Sequence, residues 1–268
     1  MEKLKNISRI AWCTGVAGMV IPQLFYKQFG SNFFPPWPGL PGLGFWTYLF
    51  TIVVTAACIA IVFEVEARLL SLLLGVLLFF MYCFGDVPYE LMIDPYNNHL
   101  GSWADGLKEL ALAGGAFVIA GSFSKVKSAS RSSLLRTLEK LIPFGRIFFS
   151  IMLVLYGYAH FLYTKPISLL VPGWIPGPMF WTYFAGAVLM CAGIAIVLRF
   201  QLRLAAMLLG ITILIWFIII HIPHTIADPF GNQSNSLVSM FSALAFSATA
   251  FLIACAAGRK EPQKFDRV

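Results

Sequence analysis

Long apolar runs limit the fold of this chain more than any other feature. Apolar stretches of about 18 to 22 residues, the length that a helix needs to cross ~30 Å of hydrocarbon, recur eight times. The runs are continuous rather than alternating, and only helices and closed barrels satisfy their backbone groups in lipid, so we predict helices. We place them at 8–26, 45–63, 67–85, 105–122, 144–162, 179–198, 203–221 and 236–256. The sequence therefore predicts an all-α polytopic membrane protein with eight transmembrane helices.

The composition excludes a soluble protein. Hydrophobic residues make up 59% of the chain and charged residues only 12%, whereas a soluble domain is about half apolar and about a quarter charged. The net charge of +7 would otherwise suggest a nucleic-acid partner. In a membrane protein, basic residues are instead explained by topology, and we expect no nucleic-acid partner.

The sequence contains an internal repeat. Residues 45–75 read FWTYLFTIVVTAACIAIVFEVEARLLSLLLG, and residues 180–210 read FWTYFAGAVLMCAGIAIVLRFQLRLAAMLLG. Nearly half of the positions are identical at a constant offset of 135, which shared hydrophobicity alone does not produce. We therefore expect two tandem four-helix units.

The repeat predicts the domain organisation. The first unit is residues 1–122, a basic linker is residues 123–143, and the second unit is residues 144–268. Each unit has an even number of spans, so both units begin on the same side and form parallel-repeat four-helix bundles. The linker is serine-rich and basic, and we expect it to contact lipid head groups.

Basic residues predict the orientation. Alternating the spans places all but three of the 19 Lys and Arg residues on the side that holds both termini and the linker; the exceptions are Lys27, Lys108 and Lys165. This asymmetry predicts cytoplasmic termini in a bacterial inner (plasma) membrane. The other side has the longer loops and all four histidines, so we expect binding or chemistry in the outer half.

Polar residues near the outer ends of the spans are the candidate site residues. In the second unit, His160, His221 and His224 could converge, with Asp228 nearby. The corresponding first-unit positions offer Gln23, Asp86 and Glu90. Packing and solvated interfacial positions remain alternatives for the histidines. We expect no metal site, because the HIPH spacing at 221–224 matches no known ligand pattern.

Two loops near these residues are rich in proline, glycine and tryptophan. They read FFPPWPGLPGLGFW from residue 33 and VPGWIPGPMFW from residue 171. Such loops could form an apolar groove for a flat lipophilic ring such as a quinone, or simply an aromatic belt at the membrane interface. The predicted ligand-binding residues are His160, Tyr163, Trp181, His221, His224, Asp228, Gln23, Trp46, Asp86 and Glu90.

Several segments resemble the DoxX family of small membrane proteins. They are HFLY at 160–163, the PGW..GP....Y loop at 172–183, and Trp103 followed by LKELALAGGAF at 107–117. The resemblance covers nearly the whole chain as two fused copies. It implies either a quinone-linked redox subunit, similar to the small subunit of thiosulfate:quinone oxidoreductase, or an assembly factor. The second copy reads FSALAFSATAF at 241–251, so any role of Lys108 belongs to the first unit.

Two functions remain open from the sequence. The first is a quinone- or lipophilic-ligand-binding subunit of a membrane redox system. It would need a cofactor-bearing or periplasmic partner, because the chain has neither a cysteine pair in a CxxC motif nor a dinucleotide fingerprint. The second is a non-enzymatic membrane assembly factor, complex subunit or small-solute carrier. No catalytic residue is assigned, and whether the protein is an enzyme is left open.

Overall fold

The regular structure of the chain is helical. The structure is a computed structural model that describes residues 1–30, 33–37, 43–96, 99–124 and 133–258, and these residues contain no strand. The α-helices are α1 (Glu2–Val20), α2 (Gln23–Tyr26), α3 (Leu43–Val62), α4 (Ala67–Met81), α5 (Val87–Ile93), α6 (Ala104–Ser122), α7 (Ser133–Leu138), α8 (Phe144–Leu162), α9 (Thr164–Ser168), α10 (Pro178–Leu198), α11 (Leu202–Trp216), α12 (Ile222–Ala227) and α13 (Gly231–Ala257). Two π-helical turns, π1 (Tyr82–Asp86) and π2 (Phe217–His221), join α4 to α5 and α11 to α12.

Six helical stretches in the described part of the chain are long and apolar enough to cross a membrane. They are Leu43–Val62, Ala67–Ile93, Ser133–Leu162, Pro178–Leu198, Leu202–Ala227 and Ser234–Ala257. The prediction of an all-helical membrane protein with several apolar helices is therefore confirmed. The other two predicted spans correspond to α1 and α6, helices of 19 residues each. Both begin with a cluster of charged residues, so the total of eight spans stays a prediction.

The helix bounds differ from the predicted spans where a helix continues past its apolar part. α8 has the predicted bounds, 144 and 162. The third and seventh predicted spans end at 85 and 221, but the helical path continues through the π-turns to Ile93 and Ala227. Pro88 and Pro223 lie in the first turns of α5 and α12. A proline has no amide hydrogen with which to continue the helix, and a π-turn lies directly before each of the two helices that contain these prolines.

The eight long helices form a closed ring. α1 packs against α3 and α13, and α6 packs against α4 and α8. α10 packs against α8 and α11, and α11 contacts α13. α6 and α13 also meet across the middle. Side chains from both halves, including the fully buried Trp12, Leu112 and Phe149, form one continuous core. Each half thus packs on the other through its first and last helices, in the pairs α1–α13 and α6–α8.

Close helix contacts depend on glycine at the junction of the halves. A Cβ atom at Gly114 of α6 would lie 2.6 Å from the carbonyl oxygen of Gly145 in α8, and one at Gly145 would lie 2.7 Å from the oxygen of Gly114. Any larger residue would push the two backbones apart. Small residues of this kind let helices approach closely in membranes.

Two buried arginines fix one end of the ring, which we call the terminal end because Met1 also contacts Cys255 there. Arg9 donates to the Ser122 hydroxyl at 2.8 Å and to its carbonyl oxygen at 2.6 Å. Arg68 forms an ion pair with Glu139 at 2.6 Å and donates to two carbonyl oxygens at the end of α6. These contacts satisfy carbonyl groups that a helix end leaves without partners.

The predicted linker is only partly described. Residues 125–132 lie outside the described residues, and 133–138 form α7, whose Leu135 packs against Leu72 and Phe117. Contact of this segment with lipid head groups stays a prediction, as does the division of the chain at residues 122 and 144.

Candidate functional site

The end of the ring opposite the terminal end, here called the loop end, holds three buried carboxyl groups. Asp86 closes π1, Glu90 lies on α5, and Glu109 lies on α6. Their exposed fractions are 2%, 6% and 0%. Asp86 Oδ2, Glu90 Oε2 and both oxygens of Glu109 have no hydrogen-bond partner. The sequence predicted Asp86 and Glu90, but not Glu109.

The predicted residue Gln23 is buried at the same end. It begins α2, is 3% exposed, and neither atom of its side-chain amide has a hydrogen-bond partner. The amide borders a cavity of about 20 Å³, which is also lined by Phe29 and Phe33. A buried amide that lacks partners is costly unless a ligand or a water molecule satisfies it.

A larger cleft adjoins this cavity between α1, α2 and the start of α13. It has a volume of about 190 Å³, and it is lined by Gly18, Ile21, Pro22, Phe25, Tyr26, Phe230, Ser234, Leu237 and Phe241. Pro22 and Tyr26 also line the smaller cavity. The Tyr26 hydroxyl lies 3.0 Å from the Ser234 hydroxyl and donates to the Phe230 carbonyl oxygen at 3.2 Å. Phe25 and Phe230, which are 76% and 74% exposed, mark the open side of the cleft.

In the second half, His160 lies on α8 with its ring against its own helix. Nδ1 lies 2.7 Å from the Tyr156 carbonyl oxygen, so this nitrogen donates to the backbone. A Cβ atom at Gly186 of α10 would lie 2.9 Å from His160 Cβ. The observed contacts of His160 are thus those of a residue packed between α8 and α10.

The other polar candidates of the second half also have backbone partners. His224 Nε2 lies 3.1 Å from the Leu170 carbonyl oxygen, and Asp228 accepts the Gly231 amide at 2.8 Å. His221, the last residue of π2, is partly buried. Among the described residues, no set of three or more His, Cys, Asp or Glu side chains could hold a metal ion. Convergence of the three imidazoles stays a prediction.

The aromatic candidates lie nearer the surface. Trp46 and Trp181 are 57% and 43% exposed, and the Trp181 indole donates to the Pro176 carbonyl oxygen. The Tyr163 hydroxyl accepts the Gly101 amide at 3.2 Å, which ties α8 to the first half. These contacts orient the Trp181 and Tyr163 rings.

The two proline-rich loops differ in how they pack. In the first, the Trp37 indole donates to the Gly85 carbonyl oxygen at 3.2 Å and its ring packs edge-on against Tyr89. This loop covers π1, although its residues 38–42 lie outside the described part. In the second, Trp174 is exposed. Among the described loop residues, Trp37 thus packs on its half of the ring, whereas Trp174 faces outward.

Several residues of these sites were not predicted. Three of them lie in segments whose sequence resembles the ordinary end of a membrane span, namely Tyr26, Ser234 and Leu237. The packing of α1 against α13 brings these three residues together. Glu109 carried a usable signal, since it is a carboxyl group inside an apolar span and such groups suggest function by default.

The second half of the chain contains a segment that matches a known protein family. Residues 141–222 match the family model of DoxX. This segment is similar to the DoxX family. The match includes α8, α10, α11 and π2, and ends at Ile222. Neither the comparison with curated proteins nor that with solved structures finds a match. The predicted DoxX resemblance is thus confirmed for this segment, and its extension to the first half stays a prediction.

Proposed function

We propose that the chain is a tandem of two DoxX-like units with eight transmembrane helices. Geometry at matching positions supports the duplication. α4 and α11 are both 15 residues long and start 135 positions apart, and each is followed by a five-residue π-turn. Glu64 and Glu66 have positive φ angles of 58° and 43°, and Arg199 and Gln201, again 135 positions later, have 57° and 42°. Non-glycine residues rarely adopt this conformation, so its recurrence favours a common origin.

The proposed orientation places the terminal end in the cytoplasm of a bacterial cell and the loop end outside the inner membrane. Its support is the excess of Lys and Arg among residues of the terminal end, including the buried Arg9 and Arg68. Exposed apolar side chains around the ring, such as Ile52, Phe80 and Leu208, suit contact with lipid.

The function that the geometry supports best is the binding of a flat lipophilic molecule with a hydrogen-bonding head group. The observation that carries this proposal is the aromatic cleft beside the buried Gln23 amide. Pockets for whole drug-sized ligands measure about 300–1,000 Å³, so a cleft of about 190 Å³ suits a head group whose tail stays in lipid. Gln23, Tyr26 and Ser234 would supply the hydrogen bonds.

A quinone fits this description. Its carbonyl oxygens accept hydrogen bonds, which the amide of Gln23 and the hydroxyl of Ser234 can donate, and its ring suits the faces of Phe25 and Phe241. When bound, a quinone would accept electrons and protons from a partner that bears a redox cofactor. The chain would contribute binding, orientation and exclusion of water. This site differs from the predicted histidine pocket, and of the predicted residues it uses Gln23.

The test is photolabelling of the purified full chain in lipid nanodiscs with an azido-substituted short-chain benzoquinone. Labelled peptides should map to residues 18–26 and 230–241. Leu237→Trp, which fills the cleft, should abolish labelling. Gln23→Leu should weaken binding about 5- to 150-fold, the equivalent of about 1–3 kcal/mol for one buried hydrogen bond left unmade. Leu208→Trp, at an exposed position on α11, is the matched control and should bind normally.

Two results would overturn this assignment. Labelling on α8 and α10 around His160, with none in the cleft, would move the site to the predicted histidine pocket. Absence of saturable labelling would favour the second predicted function, a non-enzymatic assembly factor, complex subunit or small-solute carrier.

A further inference from the structure

The buried carboxyl groups Asp86 and Glu109 lie against each other at the loop end. They come within side-chain hydrogen-bonding reach. Gly106 makes this approach possible, because a Cβ atom there would lie 3.0 Å from Asp86 Cβ and 3.4 Å from Asp86 Oδ1. Glu109 is fully buried and points its unpartnered oxygens into this contact.

No basic group compensates the pair among the residues that the structure places around it. The titratable groups nearest to the pair are Tyr82, Cys83, Glu90 and Asp105, with Asp94 next to Glu90. The nearby cation is Lys108, and its Nζ is held by Asp105 Oδ1 at 2.9 Å and by Tyr156 of α8. Two buried carboxylates without a cation would cost several kcal/mol each.

The missing component of this site is a hydrogen-bond donor. An ionised carboxylate only accepts, whereas a protonated carboxyl group donates one hydrogen bond. A single proton on either group would therefore link Asp86 to Glu109 and remove one negative charge from the buried site. The proton would come from water at the loop end and convert one carboxylate into a carboxylic acid.

We propose that Asp86 and Glu109 form a proton-binding site in which the two carboxyl groups share one proton. The site belongs to one half of the chain. At the matching positions of the second half, offset by 135 and 134, the residues are His221 and Ala243. The proposal goes beyond lipophilic-ligand binding and does not depend on it, because it uses neither the cleft nor Gln23.

Infrared difference spectroscopy of the full chain in lipid nanodiscs tests this site, with no ligand added. At neutral pH the parent protein should show the carbonyl band of a protonated carboxyl group, shifted by heavy water. Glu109→Gln and Asp86→Asn should each shift this band, because the remaining protonated carboxyl group then faces an amide, and the double variant should lose the band. Glu66→Gln replaces an exposed carboxylate at the terminal end and should retain it. Circular dichroism and gel filtration establish that each variant is folded.

The outcomes separate the possible occupants. An unshifted band in both folded single variants, or absence of the band from the parent at neutral pH, would overturn the proposal. A band that is present in choline chloride but absent in sodium chloride would overturn it in favour of a bound sodium ion. If neither variant folds, the pH dependence of the parent protein tests the proposal. Its carbonyl band must persist across neutral pH and disappear in alkali. A failure of quinone labelling leaves all these results unchanged.

Discussion

The glycine contact between α6 and α8 predicts a measurable coupling between the two halves of the chain. A Cβ atom at Gly145 would lie 2.7 Å from the Gly114 oxygen, whereas ordinary contacts begin at 3.4 Å. The two helices must therefore separate by about 0.7 Å to accept Gly145→Ala. Overpacking of this kind costs about 1–3 kcal/mol. The same separation would also accommodate a Cβ atom at Gly114.

The two substitutions should therefore be non-additive. Each single alanine variant should be less stable than Gly44→Ala by about 1–3 kcal/mol. Gly44 is a suitable control because its added Cβ atom would meet only the Lys27 carbonyl oxygen, at 3.5 Å. The double variant should lose less than the sum of the single losses, by at least about 0.5 kcal/mol. Gly44→Ala combined with Gly145→Ala should be additive.

The measurement is reversible unfolding in mixed micelles with increasing dodecyl sulfate, followed by circular dichroism. It gives the free energy of unfolding of each variant under one set of conditions. Alanine variants as stable as the parent would refute the close approach of α6 and α8. Additive losses would show that the two glycines do not share one contact.

The remaining predictions concern the terminal end and the topology. Arg68→Met should lower the free energy of unfolding by about 3–5 kcal/mol, because it removes a buried guanidinium group that pairs with Glu139 and bonds two carbonyl oxygens at the end of α6. Arg203→Met, 135 positions later at an exposed site, should change it by less than about 0.5 kcal/mol, and equal losses would contradict this contrast. In a variant without native cysteines, Trp174→Cys should react with an impermeant thiol reagent in intact cells and Glu66→Cys should not. The reverse pattern would invert the proposed orientation.

Hydropathy predicted the helices well because it measures the property that governs them, namely transfer of a continuous apolar segment into lipid. It failed where helices continue beyond lipid-compatible sequence. α1 begins at Glu2 and α13 at Gly231, ahead of the predicted 8 and 236. Charged and polar residues are compatible with a helix at a membrane surface, so the apolar run marks the span rather than the helix.

The candidate site was harder to predict, because the type of a polar residue does not show which group its side chain will bond to in the fold. Asp86, Glu90 and Gln23 were predicted and are buried without full hydrogen bonding. His160 and His224 were predicted from the same reasoning, yet their observed partners are backbone carbonyl oxygens. The face of α6 that holds Glu109, and the cleft between α1 and α13, follow from which helices become neighbours, and no local pattern specifies that.

The neighbouring positions of α1 and α13 have a consequence for biosynthesis. α1 leaves the ribosome well before its main partner, α13, which begins at Gly231, about 210 residues after α1 ends. At about 5–20 residues per second, this delay lasts about 10–40 s. During that time Trp12, which is buried in the finished protein, has no α13 to pack against. α1 therefore remains without its main helix partner until α13 is inserted, and during this interval the insertion machinery or a chaperone in the bilayer can protect it.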